Sequence, residues 1–255
     1  MSATMTLRHP AATSRPSFRP DFPVGLPSPA QLLAVAEALP GASAVVLDGR
    51  MVVQAGNERW FAAQGVRRSE ACGRPMGQLL ADEAMQERAT ICATQRARGE
   101  ALVMRGIRDG AHEIILCLPA SEHEQERIVW IEMLAAGAPL TDAQPRTVYP
   151  AAHTWGALAA LTMRQLDVAR LVGMGLSNER IAQLQSVSRR TTEWHMRSIY
   201  DALGVDERAE VARLAIRAGL SSFPLDAWQR MLRRRDRERA REAFARARGA
   251  RAAVV

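Results

Sequence analysis

The chain contains no lysine: all 34 of its basic residues are arginine. That absence excludes a GxxxxGK phosphate loop, a Schiff-base amine and kinase chemistry built on a strand lysine. A GC-rich coding bias would produce the same composition, and the exclusions hold either way. Aromatic residues make up only 5% of the sequence. The three cysteines, Cys72, Cys92 and Cys117, are widely spaced, form no CxxC and share no zinc-like spacing with histidine, so free buried thiols are expected and no metal is. No apolar run approaches the roughly 18 residues that span a bilayer. The opening MSATMTLRHPAATSRPSF lacks an uninterrupted apolar core and does not read as a secretory signal, which points to the cytoplasm and away from a membrane partner.

What is present is unevenly distributed. The net charge is +7, and the stretch from Leu225 to Arg251 holds ten arginines against four acids, nearly the whole excess. Residues 1–28 carry five prolines and few paired apolar positions, and read as a disordered leader. SPAQLLAVAEALPG follows with Ser28 as N-cap, Pro29 in the first turn and Gly41 as stop. Two β-branched runs then flank Asp48-Gly49, a strong hairpin signal. After several short helical stretches, among them one with Ala84, Met85, Ile91 and Ala93 at helical spacing, the device repeats at Asp109-Gly110. A last strand, RIVWIEMLA, closes the pattern. Two strands, short helices and three strands predict an α+β domain with an antiparallel sheet over 29–138.

VVLDGRMVVQAGNERWFAAQGV, with Asn57 opening a helix and Gly65 closing it, resembles a PAS domain; Gly73-Arg74 and Asp109-Gly110 fit as well. The resemblance covers about 105 residues and implies small-ligand sensing or dimerisation. No cofactor is predicted. The flavin-binding subgroup's Asn-Cys-Arg-Phe motif is absent, and His112, in a strand, reads as a satisfied surface or boundary residue rather than a haem ligand. A small-molecule ligand of the PAS-like domain stays open.

A linker over 139–156, rich in Pro, Ala and Thr, leads into an entirely helical pattern over 157–221. Thr162, Ser177 and Ser188 each sit where an N-cap belongs, and Gly173, Gly175 and Gly204 where helices stop. On the third of these helices, Thr192, Met196, Ile199 and Leu203 share one face at 3.6-residue spacing and are expected in the core. Arg190, Glu193, Trp194 and Arg197 lie opposite, with Arg189 and Thr191 near the start. A major-groove reader needs that division: base-reading side chains outward, hydroxyls and arginines near the N-terminus for phosphates. A solvated charged face would account for the charges but not for the tryptophan among them.

From Leu161 to Leu220 the sequence resembles the LuxR/GerE-type helix-turn-helix, carried by LTMRQ, GLSNERIA and SRRTTEWHMRSIYDALGV at family spacing. The resemblance implies a four-helix DNA-binding module whose third helix enters the major groove. It places base contacts on Glu193, Trp194 and Arg197, and backbone contacts on Asn178, Arg189, Arg190 and Thr191. It makes Val211 and Leu214, on the fourth helix, dimerisation candidates. Three positions depart from the family: Gln165 for Glu, Thr192 for Val, and Gln185 for a core Leu. A small rotation bringing Leu184 inward could compensate for the last. His195 has no Ser, Cys or Asp partner and carries no catalytic implication.

The basic tail, 222–255, reads as a helix packed near Trp228, Met231 and Leu232. Beyond them it is either a solvated appendage or a sequence-independent clamp on DNA phosphates. The whole chain therefore reads as a DNA-binding transcription regulator, expected by resemblance to be a homodimer, with RNA polymerase a further candidate partner. The alternatives are an interaction adaptor with a degenerate helix-turn-helix, or an acyl-homoserine-lactone quorum sensor, whose ligand domain is usually longer and richer in aromatics. No catalytic residue set supports an enzyme.

Overall fold

Ser28 and Gln31 cap one another's backbone at the start of α1 (Pro29–Ala38), the first element of a computed structural model that describes residues 27–80, 82–96, 101–122, 125–134 and 146–252. The leader, apart from its last two residues, and the first half of the linker lie outside the described residues. The hairpin β1 (Ser43–Asp48) and β2 (Val53–Gly56) forms where Asp48-Gly49 predicts it. Its turn is longer than two residues. Asp48 Oδ1 accepts from the backbone N–H of Arg50 and Val52, and the positive φ falls on Met51 at 61°, not on Gly49. An Asx-type turn has displaced the Asp-Gly turn.

Short helices follow: α2 (Glu58–Gln64), α3 (Arg68–Ala71) and the longer α4 (Glu83–Arg96). Asn57 caps α2 through the Trp60 N–H and also ties the helix to β1 by accepting from Ala44 N–H, while Gly65 ends it in the left-handed region. Then come β3 (Leu102–Arg108), β4 (Ala111–Glu122) and β5 (Gln125–Leu134). Asp109 and Gly110, at φ 50° and 71°, make the two-residue turn with both central residues left-handed that matches strand twist. A short β6 (Arg146–Val148) forms inside the expected linker and pairs parallel with β3. The sheet order is β2-β1-β5-β4-β3-β6, antiparallel at every other pairing.

Strand alternation divides the sheet's residues between two cores. Val45, Leu47, Leu102, Met104, Ile115, Cys117, Ile128 and Trp130 face α2–α4, against Trp60, Phe61, Met76 and Met85. Val46, Val129 and Ile131 face the other way, toward α1. This antiparallel sheet with short helices on one face is the PAS-like α+β architecture. On α4 the stripe differs from the one read in sequence: Ala84 and Met85 are buried as expected, but Arg88, Ala89 and Cys92 fill the remaining positions, leaving Ile91 and Ala93 half-buried. Burial of an arginine was not legible from apolar spacing. Its Nε donates to Glu113 at 2.5 Å and its Nη1 to the carbonyls of Ala84 and Ala152.

The helical part contains α5 (Met163–Gly173), α6 (Asn178–Leu184), α7 (Arg189–Leu203), α8 (Arg208–Arg217) and α9 (Leu225–Ala252). Leu166, Ala169, Val172, Ile181, Met196, Ile199, Val211 and Ala215 form its core, and Trp155, Phe223, Trp228 and Met231 extend it. α5 and α8 pack so closely that a Cβ on Gly173 would lie 2.8 Å from that of Ala215. Ile107 of β3 belongs to this same core, so the helical part rests on the sheet's outer face. The basic tail is no loose appendage along its first half. Arg235, only 4% exposed, donates to the carbonyls of Leu158, Ala159 and Leu161 and lies over the Trp155 ring at 4.7 Å. Arg234 reaches across to Glu83 of α4 at 2.5 Å. Among the described residues no helix is long and apolar enough to cross a membrane.

Candidate nucleic-acid interface

Two N-caps and one strained residue set the geometry of the exposed face. Ser177 Oγ accepts from Arg180 N–H at the start of α6, and Ser188 Oγ accepts from Thr191 N–H at 3.0 Å at the start of α7. Between them Ser186 holds φ 52°, a left-handed conformation that turns the chain sharply from one helix into the next. Arg208 at the head of α8 donates to Asn178 Oδ1 at 2.7 Å and to the Leu176 carbonyl, fixing the loop that enters α6. Arg164 does the same at the exit, donating to the Gln185 carbonyl at 3.2 Å. Neither arginine was singled out in the sequence, because nothing in local spacing shows which loop carbonyl an arginine will reach.

On α7 the inward face is Thr192, Met196 and Ile199, all buried, with Leu203 half-buried. The opposite face is open. Trp194 is 61% exposed, and Arg189, Arg190 and Arg197 are exposed around it. The Trp194 indole meets the His195 ring edge to face at 5.0 Å. Burial, with Arg164 nearby, holds the His195 imidazole below its ordinary pKa. Arg197 overhangs a shallow open cleft lined by Tyr200, Asp201, Val205 and Asp206.

Some expected contacts already have partners within the chain. Glu193 Oε1 accepts from Arg189 Nε at 2.8 Å, a helical i,i+4 pair. Asn178 has its side-chain Oδ1 engaged by Arg208. Thr191 shares a 2.8 Å hydrogen bond with Ser188. Of the two dimerisation candidates, Val211 is 1% exposed inside the module's own core and Leu214 is half-buried against it. The large apolar residue exposed on α8 is Ile216.

Two sequence expectations need correction. Leu184 does not rotate inward to replace the missing core leucine: it is 54% exposed, and Gln185 is half-buried with Oε1 shielded from water and without a partner. His112 is at a boundary, as expected, but it is fully buried and neither ring nitrogen has a partner. The reason is the helical part seated on that face of the sheet, which position in a strand could not reveal.

Residues 159–215 match the family model of bacterial regulatory proteins, luxR family. A Mycobacterium tuberculosis protein named as an HTH-type transcriptional regulator, Rv0890c, is 41% identical over 71 residues, covering 28% of this chain and 8% of its own length. The HTH-type transcriptional regulator AlkS of Ectopseudomonas oleovorans is 40% identical over 62 residues, covering 24% of this chain and 7% of its own. The chain thus spans less than a tenth of the length of these relatives. Among solved structures, Vibrio cholerae VqmA in complex with ligand and DNA is 16% identical, with 76% of this chain and 90% of that chain covered at a TM-score of 0.44. The PAS domain of an HTR-like protein from Haloarcula marismortui is 23% identical, with 42% and 90% covered at 0.30. Residues 159–215 are a LuxR-family regulatory domain, joined here to an α+β domain built on a six-stranded sheet.

Proposed function

We propose that the protein is a sequence-specific DNA-binding transcription regulator that inserts α7 into the major groove as a homodimer, under control of its PAS-like domain. The observation that carries this reading is the open face of α7, where a 61%-exposed tryptophan stands among arginines while the opposite face is buried. A helix of this width fits the major groove, and side chains on its outward N-terminal half reach base edges. Arg197, free of any hydrogen-bond partner among the described residues, takes guanine O6 and N7. Trp194 packs on a thymine methyl or a sugar. Glu193 accepts from cytosine N4 after exchanging its bond to Arg189, which then turns to phosphate. Arg190, Thr191 and the Asn178 side-chain amide hold the backbone. The relatives named as transcriptional regulators support the same reading.

Selection of duplexes from a random DNA pool by the full-length protein, at two salt concentrations, tests it. We expect an enriched inverted repeat, and a loss of about 10- to 100-fold in affinity for that site in Arg197→Ala, the equivalent of one bidentate base contact. Salt-sensitive binding without an enriched sequence would reduce the activity to charge alone. No binding at either salt would favour the adaptor reading.

A further inference from the structure

The sheet, the linker and the helical part meet at a single aromatic ring. Phe223, in the turn before α9, is 2% exposed and is surrounded by His112 of β4 at 5.8 Å, Tyr149 at 5.9 Å and His153 at 6.2 Å. Both histidines are buried, His112 completely. His153 Nδ1 accepts the Ile107 backbone N–H at 3.1 Å, which requires that nitrogen to be unprotonated, and its Nε2 has no partner. His112 has none at either nitrogen. The contact is close: a Cβ on Gly219 would lie 2.5 Å from the His112 ring.

The charges that act on the two imidazoles have one sign. Arg105 of β3 acts on His112, and Arg88 of α4 and Arg234 of α9 act on His153. Arg170 of α5 donates to the carbonyls of Leu220 and Phe223, on the helical side of the same turn. The carboxylates of these elements are engaged elsewhere: Glu113 with Arg88, and Glu87 with Arg234 and the backbone N–H groups of Ala151 and Ala152. None of them hydrogen-bonds to either imidazole. The turn at 219–223 brings no titratable group of its own, and Tyr149 contributes only its ring.

We propose that the His112–Phe223–His153 cluster is an acid-opened latch: protonation of the two imidazoles drives the helical domain off the sheet while each domain keeps its fold. A second proton on His112 has no hydrogen-bond acceptor among the described residues, and on His153 the Pro150 and Ile107 backbone only partly offsets burial and the nearby arginines. Burial and those arginines hold His112 at about 4 and His153 at about 3. Once the junction opens, water restores the ordinary histidine value of about 6.5. The open form therefore binds more protons than the closed form between those limits, so closure weakens as pH falls below about 6.5 and recovers as it rises. The inference is independent of whether α7 reads DNA.

Amide hydrogen exchange on the full chain, expressed as protection factors at pH 7.5 and pH 5.0, tests the latch. Peptides covering 105–112, 149–155 and 218–224 should lose at least tenfold in protection at the lower pH, while 128–131 and 166–172, inside each domain, stay within about twofold. In His112→Phe/His153→Asn, where the asparagine carbonyl can still accept from Ile107 N–H, the acid-dependent loss should disappear. The imidazole C–H resonances of the unaltered protein supply a second reading that needs no variant. His112 and His153 should show no titration near 6.5 while the junction peptides remain protected. Unchanged junction protection at pH 5.0, equal loss inside both domains, or ordinary titration in the closed state would each overturn the proposal.

Discussion

An amide oxygen with no partner sits at the end of α6. Gln185 was legible in the sequence as the residue standing where the family places a core leucine. The chain's response was not legible, because it depends on the backbone at Ser186. With Ser186 held at φ 52°, the turn is committed and Leu184 stays outside. The Gln185 side chain enters halfway, and its Oε1 is shielded without a hydrogen bond. A buried unsatisfied acceptor costs about 1–3 kcal/mol, whereas an apolar group of the same size costs none of that. Gln185→Leu should therefore stabilise the helical domain by about 1–2 kcal/mol. Its backbone carbonyl continues to accept from Arg164, so the helix-turn-helix angle is preserved. Urea unfolding would show a higher midpoint at unchanged slope. A lower midpoint would mean that water already satisfies the amide.

At the scale of elements, the N-caps and one of the two Asp-Gly turns were read accurately, while the turn at Asp48-Gly49 was not. Ser28, Asn57, Thr162, Ser177 and Ser188 all cap helices, and Asp109-Gly110 makes its tight turn. What local patterns cannot encode is which surface an element meets. α9 illustrates this. Its packing near Trp228, Met231 and Leu232 was read, but not the surface they meet: Trp228 Nε1 donates to Asp167 of α5 at 2.6 Å, and Arg170 lies over the indole at 5.6 Å. Ala227, Met231 and Leu232 are buried beside it. The second half is more open: Arg237 and Arg241 are exposed, as is Phe244, and Arg239 keeps a hydrogen bond to the Leu161 carbonyl at 2.6 Å. Trp228→Ala should consequently cost about 3–5 kcal/mol, the usual penalty for emptying a buried aromatic site. Ending the chain after Arg241 should change stability by less than about 0.5 kcal/mol, as surface deletions do. Thermal unfolding of both variants would separate the two halves. A large effect of the truncation and a small one of the substitution would reassign α9 as an independent element.

The whole molecule is joined through Arg88. Its side chain starts on α4, passes between Gly106 and Glu113, and ends on the carbonyl of Ala152 in the segment leading to the LuxR-family domain. Gly106 makes room for it, since a Cβ there would lie 2.3 Å from the guanidinium. Glu87, one residue earlier, receives the N–H groups of Ala151 and Ala152, so two neighbouring side chains on α4 hold both polarities of the same linker backbone. The charge balance beneath is tight: Glu113 is 1% exposed and Arg108, its other neighbour, lies at 3.9 Å and pairs with Glu132. Burial raises the Glu113 carboxyl pKa, and Arg88 is the chief group opposing that rise. Removing Arg88 alone strands a buried carboxylate, which in a low-dielectric interior costs about 3–5 kcal/mol. Removing both charges does not, because an apolar pair of similar volume carries no desolvation penalty. Arg88→Met should therefore destabilise the protein by that larger amount, and Arg88→Met/Glu113→Met should recover more than half of it in denaturant titrations. A double variant as weak as the single one would place the stabilising role of Arg88 in its bonds to the Ala84 and Ala152 carbonyls rather than in the buried ion pair.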